Sequence, residues 1–287
     1  MVLNTNISAL NSVKVGQENN KQMNGSVEKL SSGLRINKSA DDSSGLGIAD
    51  NLRTQTTAIA QSIDNGNSAA KLLQLADKAM AEQSNILDIM KQKLIQAKTD
   101  TTSPEGRKMI EVEVKKLLSQ IDHIGINTNY NETYLLVGRE KGSRDLSYND
   151  VGPVEGLKFH MGEDAKDTVD GPNGIKATSD GLGLEALLTN ELTTELAGEY
   201  MGKIDDALHT LNEWRGEYGS IQNQVESSVR NMLTQETNLK AAESIIRDVD
   251  YAKESASFSH KNILSQTGSF TIAQANNVKT NMLNSLR

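Results

Sequence analysis

Apolar residues recur at helical spacing near both ends of the chain, and the stripes that they form are narrow. In the first 34 residues the stripe consists of Leu3, Ile7, Leu10, Val13, Met23, Val27, Leu30 and Leu34. Gly16 and Gly25 interrupt it, and each costs about 1 kcal/mol relative to alanine inside a helix. The last segment has the same style, with Val278, Met282 and Leu286 set among asparagines. We expect both terminal helices to order only against a partner.

A longer and denser apolar repeat lies between these ends. Its positions alternate steps of four and three, as in a coiled-coil seam, and they are Ala69, Leu73, Ala76, Met80, Gln83, Leu87, Met90, Leu94 and Ala97. Gln83 either sets the register of this seam or faces solvent where the helix drifts away from it. The polar, glycine-bearing stretch 41–66 before the repeat is interpreted as a helix boundary or connector.

A second helix of this kind follows a short connection. The first should stop near Thr99–Thr102, and Ser103-Pro104 then supplies an N-cap and a proline at the first helical position. Gly125 is a candidate C-cap. The predicted seam is Ile110, Val114, Leu117, Ile121 and Ile124. Because the connection is short, the two helices should be antiparallel neighbours.

The middle of the chain has a different character. Residues 138–183 hold nine of the 22 glycines, and Leu157–Met161 alternates apolar and polar residues, which predicts one or two β-hairpins with long loops. Helical periodicity then returns from Met201 to Leu239, with Trp214 and Tyr218 as candidate core residues. The pattern is therefore that of a mainly α protein whose irregular insert lies between long helices.

Composition excludes several classes of function. Of 287 residues only 3% are aromatic, which suits helix seams better than one thick core, and the net charge of −8 includes no basic block for nucleic acid. Cysteine is absent, so disulfides and thiolate chemistry are excluded. No apolar run approaches the roughly 18 residues of a membrane helix. The N-terminus lacks the features of a secretory signal.

No cofactor, metal or catalytic site is predicted. The four histidines (His123, His160, His209 and His260) form no metal-binding motif. Gly45-Leu46-Gly47 and Gly181-Leu182-Gly183 begin like dinucleotide fingerprints but follow no strand of a βαβ unit, so they are interpreted as flexible connectors. Asp41-Asp42 suggests either a divalent-ion site or, as we prefer, a solvated helix start or intersubunit salt bridge to Arg35 or Arg53.

Two stretches near the ends of the chain resemble the terminal signatures of bacterial flagellin. The first is Leu30-Ser31-Ser32-Gly33-Leu34-Arg35-Ile36-Asn37, followed by Ala40-Asp41-Asp42. The second is the stretch Ala241–Ala252, and Ile263–Gly268 and Ala273–Asn276 extend it. Gly162-Glu163-Asp164-Ala165 also resembles the family's small hairpin. The resemblance covers about residues 1–137 and 200–287, on either side of a variable middle.

The resemblance implies long antiparallel helices in coiled-coil layers, with a small β-hairpin or irregular insert in the middle of the chain. Residues 1–44 and 245–287 would be terminal helices forming an inner coiled-coil domain, disordered in the monomer. Residues 45–137 and 200–244 would form a helical shell domain, and 138–199 a short, surface-exposed insert. The predicted self-assembly interface is Leu3, Ile7, Leu10, Leu30, Leu34, Arg35, Val278, Met282 and Leu286.

The implied function is that of a structural subunit that polymerises into the flagellar filament for motility. The alternative is the hook–filament junction protein, which shares the terminal signatures; the short insert and the two close matches favour flagellin. The expected partners are further copies of the chain, the flagellar cap, hook-associated junction proteins, an export chaperone and the type III export apparatus. The protein is expected outside the cell, exported without a cleaved signal peptide and without membrane insertion.

The resemblance also bears on recognition by the vertebrate Toll-like flagellin receptor. Sequences that this receptor recognises have an arginine where the present chain has Ile89, whereas the family's supporting glutamate is retained as Glu113. Loss of a charged anchor can cost an interface several kcal/mol. The resemblance therefore predicts weak or absent receptor activation, as in the flagellin subgroup that evades detection.

Overall fold

A computed structural model describes residues 6–138, 152–154, 156–164, 166–189 and 191–285. Long helices dominate, which confirms the predicted mainly α class. The helices are α1 Ile7–Ser32, α2 Ser43–Lys98, α3 Pro104–Asn127, α4 Ala186–Thr189, α5 Thr194–Arg247 and α6 Tyr251–Ser285. The strands are β1 Asn129–Tyr130, β2 Thr133–Tyr134, β3 Lys158–His160 and β4 Thr168–Asp170. Two compact units result: Met1–Thr56 with Thr237–Arg287, and Thr57–Glu236.

The helix α2 confirms the predicted coiled-coil seam. All nine positions of the repeat from Ala69 to Ala97 are buried, Gln83 included. The prediction of a connector over 41–66 is wrong beyond its first residues, because α2 begins at Ser43 and continues without a break. Asp42 caps this start, with its Oδ1 accepting from Gly45 N at 2.9 Å. Gly45 and Gly47 therefore lie inside a helix and are not flexible connectors.

Glycine at position 66 of α2 is explained by packing inside the second unit. A Cβ there would lie 2.5 Å from Val229 Cγ2 of α5 and 2.7 Å from Met161 Cε beside β3. Glycine weakens a helix, but here its missing side chain allows α2, α5 and the residue after β3 to approach one another closely. Gly66, the last residue of the stretch interpreted as a connector, is thus a crowded contact within a continuous helix.

The start of α3 and three of its five predicted seam residues (Ile110, Val114 and Ile121) agree with the sequence, but the other two and the end of the helix do not. Ser103 Oγ accepts from Gly106 N at 3.1 Å, and Pro104 occupies the first turn. Leu118 and Ile126 are buried where Leu117 and Ile124 were expected, because a straight α-helix repeats every 3.6 residues and drifts from a 3.5-residue seam. The candidate C-cap Gly125 is wrong as well, since α3 continues to Asn127.

Gly125 instead leaves room for the part of the insert that contains Ala177 and Ser179, which we call the return segment. A Cβ at Gly125 would lie 2.2 Å from the carbonyl oxygen of Ala177. Gln83 Nε2 donates to that same oxygen at 2.9 Å and to the carbonyl of Ile121 at 3.0 Å. The buried glutamine therefore joins α2 to α3 and to the return segment, so its solvent-facing alternative is excluded.

A buried carboxylate makes a second attachment of the return segment. Asp122 accepts from the backbone N–H of Ser179 at 2.6 Å and from its hydroxyl at 2.8 Å. Burial raises the pKa of Asp122, and the two hydrogen bonds from Ser179 partly oppose that rise. Nearby charges act in both directions, since His123 lowers the pKa and Asp180 raises it.

Two antiparallel hairpins lie between α3 and α5 in the part of this stretch that the structure describes. The pair β3–β4 aligns Phe159 with Val169 and confirms the strand predicted at Leu157–Met161. The pair β1–β2 lies before the predicted insert, and the sequence analysis missed it. Its two-residue turn, Asn131-Glu132, has φ values of 50° and 64°, which match the twist that tight hairpins require.

Large buried side chains of α5 complete the second unit. Tyr218 is a core residue as predicted, and its hydroxyl donates to the carbonyl of Leu135. Trp214 is only half-buried. Tyr200, which the sequence analysis did not single out, is buried and donates to the carbonyl of Ala186 at 3.1 Å. Helix α5 thus supplies large aromatic side chains to the second unit, whereas α1, α2 and α3 contain none.

Candidate assembly surface

The two signature motifs meet where α1 ends and α6 begins. Gly33 ends α1 in the left-handed conformation, with φ of 73°. Arg35 N donates to the carbonyl of Arg247 at 2.6 Å, and Val249 N donates to the carbonyl of Gly33 at 3.0 Å. These bonds form a short antiparallel bridge between the N-terminal and C-terminal motifs, which we call the motif bridge.

Charged side chains surround the motif bridge. The guanidinium of Arg35 donates to the carbonyl of Ile246. The guanidinium of Arg247 lies 3.9 Å from both Asp50 and Glu243. Arg35 thus binds the end of α5 through a carbonyl, which differs from the intersubunit salt bridge to Asp41-Asp42 that the sequence suggested.

Asp41 and Asp42 act on their own backbone. Asp41 Oδ2 accepts from the N–H groups of Asn37 and Lys38, each at 3.0 Å, and these bonds lower the pKa of Asp41. Asp42 caps α2, as described above. Among the described residues, no group of three potential ligands is placed to hold a metal ion.

Helices α1 and α6 pack antiparallel through a seam that mixes small, polar and large apolar residues. On α1 the positions turned from solvent follow a heptad pattern: Ala9, Ser12, Gly16, Asn19, Met23, Ser26 and Leu30. On α6 the matching positions are Glu254, Phe258, Lys261, Ser265, Gly268, Ile272 and Ala275. The direction follows from the bonds, since Asn6 Nδ2 reaches the carbonyl of Ala275 at 3.2 Å and Asn19 Nδ2 that of Lys261 at 2.8 Å.

Ten other apolar side chains of these two helices are exposed to solvent. Ile7 is 66% exposed, Leu10 58% and Phe270 76%. The other exposed apolar residues on this pair are Val13, Val15, Val27, Tyr251, Ile263, Leu264 and Val278. We call this set, with the three residues named first, the apolar face. Single exposed apolar residues are ordinary, but ten on two paired helices are candidates for contact with further copies of the chain.

An open groove of about 560 Å³ runs beside the seam. Val15 and Leu264 of the apolar face line it, together with Gly16 and Gly268. A Cβ at either glycine would meet no atom within 4 Å, so these glycines leave the groove empty rather than permit a close contact within the chain.

The predicted interface residues divide into several groups. Ile7, Leu10 and Val278 are exposed on the apolar face, whereas Leu30 and Leu34 are half-buried and Arg35 belongs to the motif bridge. Leu3, Leu286 and the side chain of Met282 lie outside the described residues. The seam residues Asn19, Ser26 and Lys261 were missed. The recurrence of Ser12, Asn19 and Ser26 every seven residues was the signal that could have revealed them.

The two receptor-region positions belong to the second unit. Ile89 is 43% exposed on α2. The carboxylate of Glu113 on α3 is 2.9 Å from the amine of Lys93 on α2, and both side chains are partly exposed. The structure thus presents an apolar side chain at position 89 and a paired glutamate at position 113.

Long helices with exposed apolar side chains are features of a subunit that binds further copies of itself. Profiles of the bacterial flagellin N-terminal helical region and the bacterial flagellin C-terminal helical region match residues 3–141 and 201–286. Flagellin FlaB2 of Treponema pallidum (strain Nichols) is 32% identical over 291 residues, and flagellin of Bacillus subtilis (strain 168) is 32% identical over 304. Each alignment covers 100% of both chains.

The solved structures include a putative flagellar hook-associated protein from Vibrio parahaemolyticus. It aligns with a TM-score of 0.55 and 11% identity over 68% of this chain and 94% of that chain, which is a likeness of fold. Together with the full-length relatives, the two profiles show that the chain belongs to the bacterial flagellin family. It is a structural subunit of the bacterial flagellar filament.

Proposed function

We propose that the apolar face and its groove are the surface through which copies of this chain bind one another in the filament. The observation that carries the proposal is the exposure of large apolar residues on both terminal helices: the pairing of α1 with α6 leaves Ile7, Leu10 and Phe270 in solvent. Burying each such side chain contributes about 1.5–3 kcal/mol. Side chains of a neighbouring copy would fill the groove that Gly16 and Gly268 leave open.

In this proposal the terminal helices, 1–44 and 245–287, form the inner layer of the filament. Residues 45–137 and 200–244 form the surrounding layer, and 138–199 faces outward. Ordering a residue costs about 1–2 kcal/mol, which a seam that mixes small, polar and large apolar residues offsets poorly in one chain. Folding of the termini is then coupled to polymerisation, as for other segments that order on binding.

The same coupling suits export of an incompletely ordered chain. We infer that the protein leaves the cell through the type III export apparatus, with a chaperone and without cleavage of a signal peptide. It would then add to the filament beneath the flagellar cap, beyond the hook-associated junction proteins. Among the described residues no helix has the length and hydropathy to cross a membrane. Detection of Met1 or Val2 at the N-terminus of protein from sheared filaments would test uncleaved export.

The assembly surface is tested by removing apolar side chains that are exposed in the single chain. The double substitution Ile7→Ser and Phe270→Ser should abolish pelletable filaments while the helical circular dichroism of the monomer stays unchanged. A matched control is Gln17→Ser, an exposed polar position of α1. Filaments formed by the double variant at wild-type yield would refute the proposal.

We also propose that the chain activates the Toll-like flagellin receptor weakly or not at all. An exposed isoleucine at position 89 supplies no charge for an acidic or polar partner, although Glu113 is retained. The substitution Ile89→Arg should raise the response of reporter cells, whereas Ile95→Arg, at another exposed position of α2, should not. A strong response to the unsubstituted protein would overturn this inference.

The role is structural, and we predict no catalytic activity. The protein belongs to a family of structural subunits. Hydrolysis of a casein substrate by purified filaments, abolished by a chelator or a serine-directed inhibitor, would contradict it.

A further inference from the structure

Two exposed apolar side chains form a short ridge on α6. Ile263 is 60% exposed and Phe270 is 76% exposed. They are seven residues apart, which is close to two turns of the helix, so both lie on one face of α6. Their Cα atoms are then separated by about 10 Å along the helix axis. We call these two residues the α6 ridge.

The groove beside the α1–α6 seam is long enough to receive such a ridge. Its lining extends over residues 11–22 of α1 and 264–271 of α6, which correspond to about 16 Å and about 10 Å of helix. Gly16 lies near the middle of the α1 side, and Val15, Leu264 and the threonines at 267 and 271 surround it with carbon atoms. Packing of side-chain ridges into grooves is the usual way in which helices meet.

The α6 ridge does not fill the groove of its own chain. Neither Ile263 nor Phe270 lines the groove. Phe270 follows the groove residue Gly268 by two positions, and residues two apart on a helix do not share a face. One chain therefore carries an open groove and an exposed ridge of similar length at separate places on the same helix pair.

We propose that the α6 ridge of one copy docks in the groove of the next copy. This inference rests on the proposed function, because it names the two surfaces that meet when copies assemble. The occupant is a second copy because the chain is a filament subunit that carries both surfaces. The contact is head-to-tail, so a copy whose groove is filled still presents its own ridge. Contacts of this kind produce open helical filaments unless they close into a ring.

Chemical cross-linking detects this contact, because the natural chain has no cysteine. Gly16→Cys places a thiol in the groove, where a Cβ meets no atom within 4 Å. Ile263→Cys places a thiol on the ridge and keeps Phe270. When the ridge is centred in the groove, position 263 lies about 5 Å from the middle of the groove, whichever way the ridge runs. Filaments of the double variant are treated with a short bismaleimide, denatured and separated by size.

Head-to-tail docking predicts a ladder of dimers, trimers and larger products, because each chain is linked on both sides. Cross-links within one chain migrate as monomers and do not add to the ladder. The matched control is Gly25→Cys with Ile263→Cys, since a Cβ at Gly25 also meets no atom within 4 Å but this glycine does not line the groove. The control should give at least ten times less of these products. Filaments that yield no products between chains, or dimers alone, would overturn the proposal.

Filling the groove is a second and independent measurement, which decides the matter if the double cysteine variant does not assemble. Gly16→Leu should raise the monomer concentration needed for polymerisation at least ten-fold relative to Gly25→Leu, which makes the same exchange in the same helix. Equal concentrations would refute docking in the groove. If the Ile7→Ser and Phe270→Ser protein nevertheless fails to polymerise, the apolar face remains the assembly surface. Filaments of that protein at wild-type yield would instead refute the proposed function, so the two failures are distinguishable.

Discussion

Replacing Gly125 by alanine tests whether the return segment is held against α3 at the distance that the structure gives. The new methyl group would lie 2.2 Å from the carbonyl oxygen of Ala177. Ordinary contact begins near 3.5 Å, so the segment would have to retreat by roughly 1 Å. That movement would break the hydrogen bond from Gln83 Nε2 to the same oxygen, which is 2.9 Å long.

The separate contributions have opposite signs. Alanine gains about 1 kcal/mol of helix propensity over glycine. Overpacking costs about 1–3 kcal/mol. Loss of one of the two acceptors of the buried Gln83 amide costs about 1–3 kcal/mol. The net expectation is a loss of roughly 3 kcal/mol in the free energy of unfolding, by combination of these terms.

Urea unfolding followed by the fluorescence of Trp214, the single tryptophan, measures this loss in the full-length monomer. Gly202→Ala on α5 is the matched control, because a Cβ there meets no atom within 4 Å. The control should gain up to about 1 kcal/mol. If Gly125→Ala proves as stable as the control, the return segment does not pack on Gly125 in solution and the reasoning fails.

Three further changes test other contacts of the second unit by the same measurement. Burial raises the pKa of Asp122 above 3.8, so the folded state binds the proton of this carboxyl more tightly than the unfolded state does. The contribution of Asp122 to the free energy of unfolding therefore declines as the pH rises from its pKa in the unfolded state to its pKa in the folded state. Asp122→Asn should remove the decline, and an identical pH dependence in both proteins would contradict it. Tyr218→Phe should lose about 1 kcal/mol with the hydrogen bond to Leu135. Ser103→Ala should lose about 1 kcal/mol with the N-cap of α3; equal urea midpoints would exclude either contribution.

The elements with a strong local signal were predicted from the sequence. The repeat from Ala69 to Ala97 is buried throughout because its period is visible without knowledge of a partner. Ser103-Pro104 starts α3 because capping depends on neighbouring residues alone. The strand at Leu157–Met161 was recognised by its alternation, although its partner strand was not.

Elements decided by distant packing were not predictable in this way. Gly125 suggested a cap and Gly66 ended the stretch interpreted as a connector, yet both lie inside helices where another segment approaches closely. The seam between α1 and α6 was assigned to large apolar residues, of which Met23 and Leu30 do lie in it, but Ser26 and Asn19, which also lie there, were not predicted. Periodicity identifies which residues share a face, but which face meets the partner helix depends on the size of the side chains that must fit between them.

The motif bridge has a consequence for the tolerance of this region to change. Its two bonds join amide and carbonyl groups of the main chain, at Arg35 with Arg247 and at Val249 with Gly33. Most side-chain substitutions leave these main-chain groups in place, so the residues around the bridge can change while its two hydrogen bonds remain. There are two exceptions: proline at position 35 or 249 lacks the donor, and a residue other than glycine at position 33 is strained, because the φ of Gly33 is 73°. At positions 35 and 249 the bridge therefore excludes proline and does not require the residue that is present.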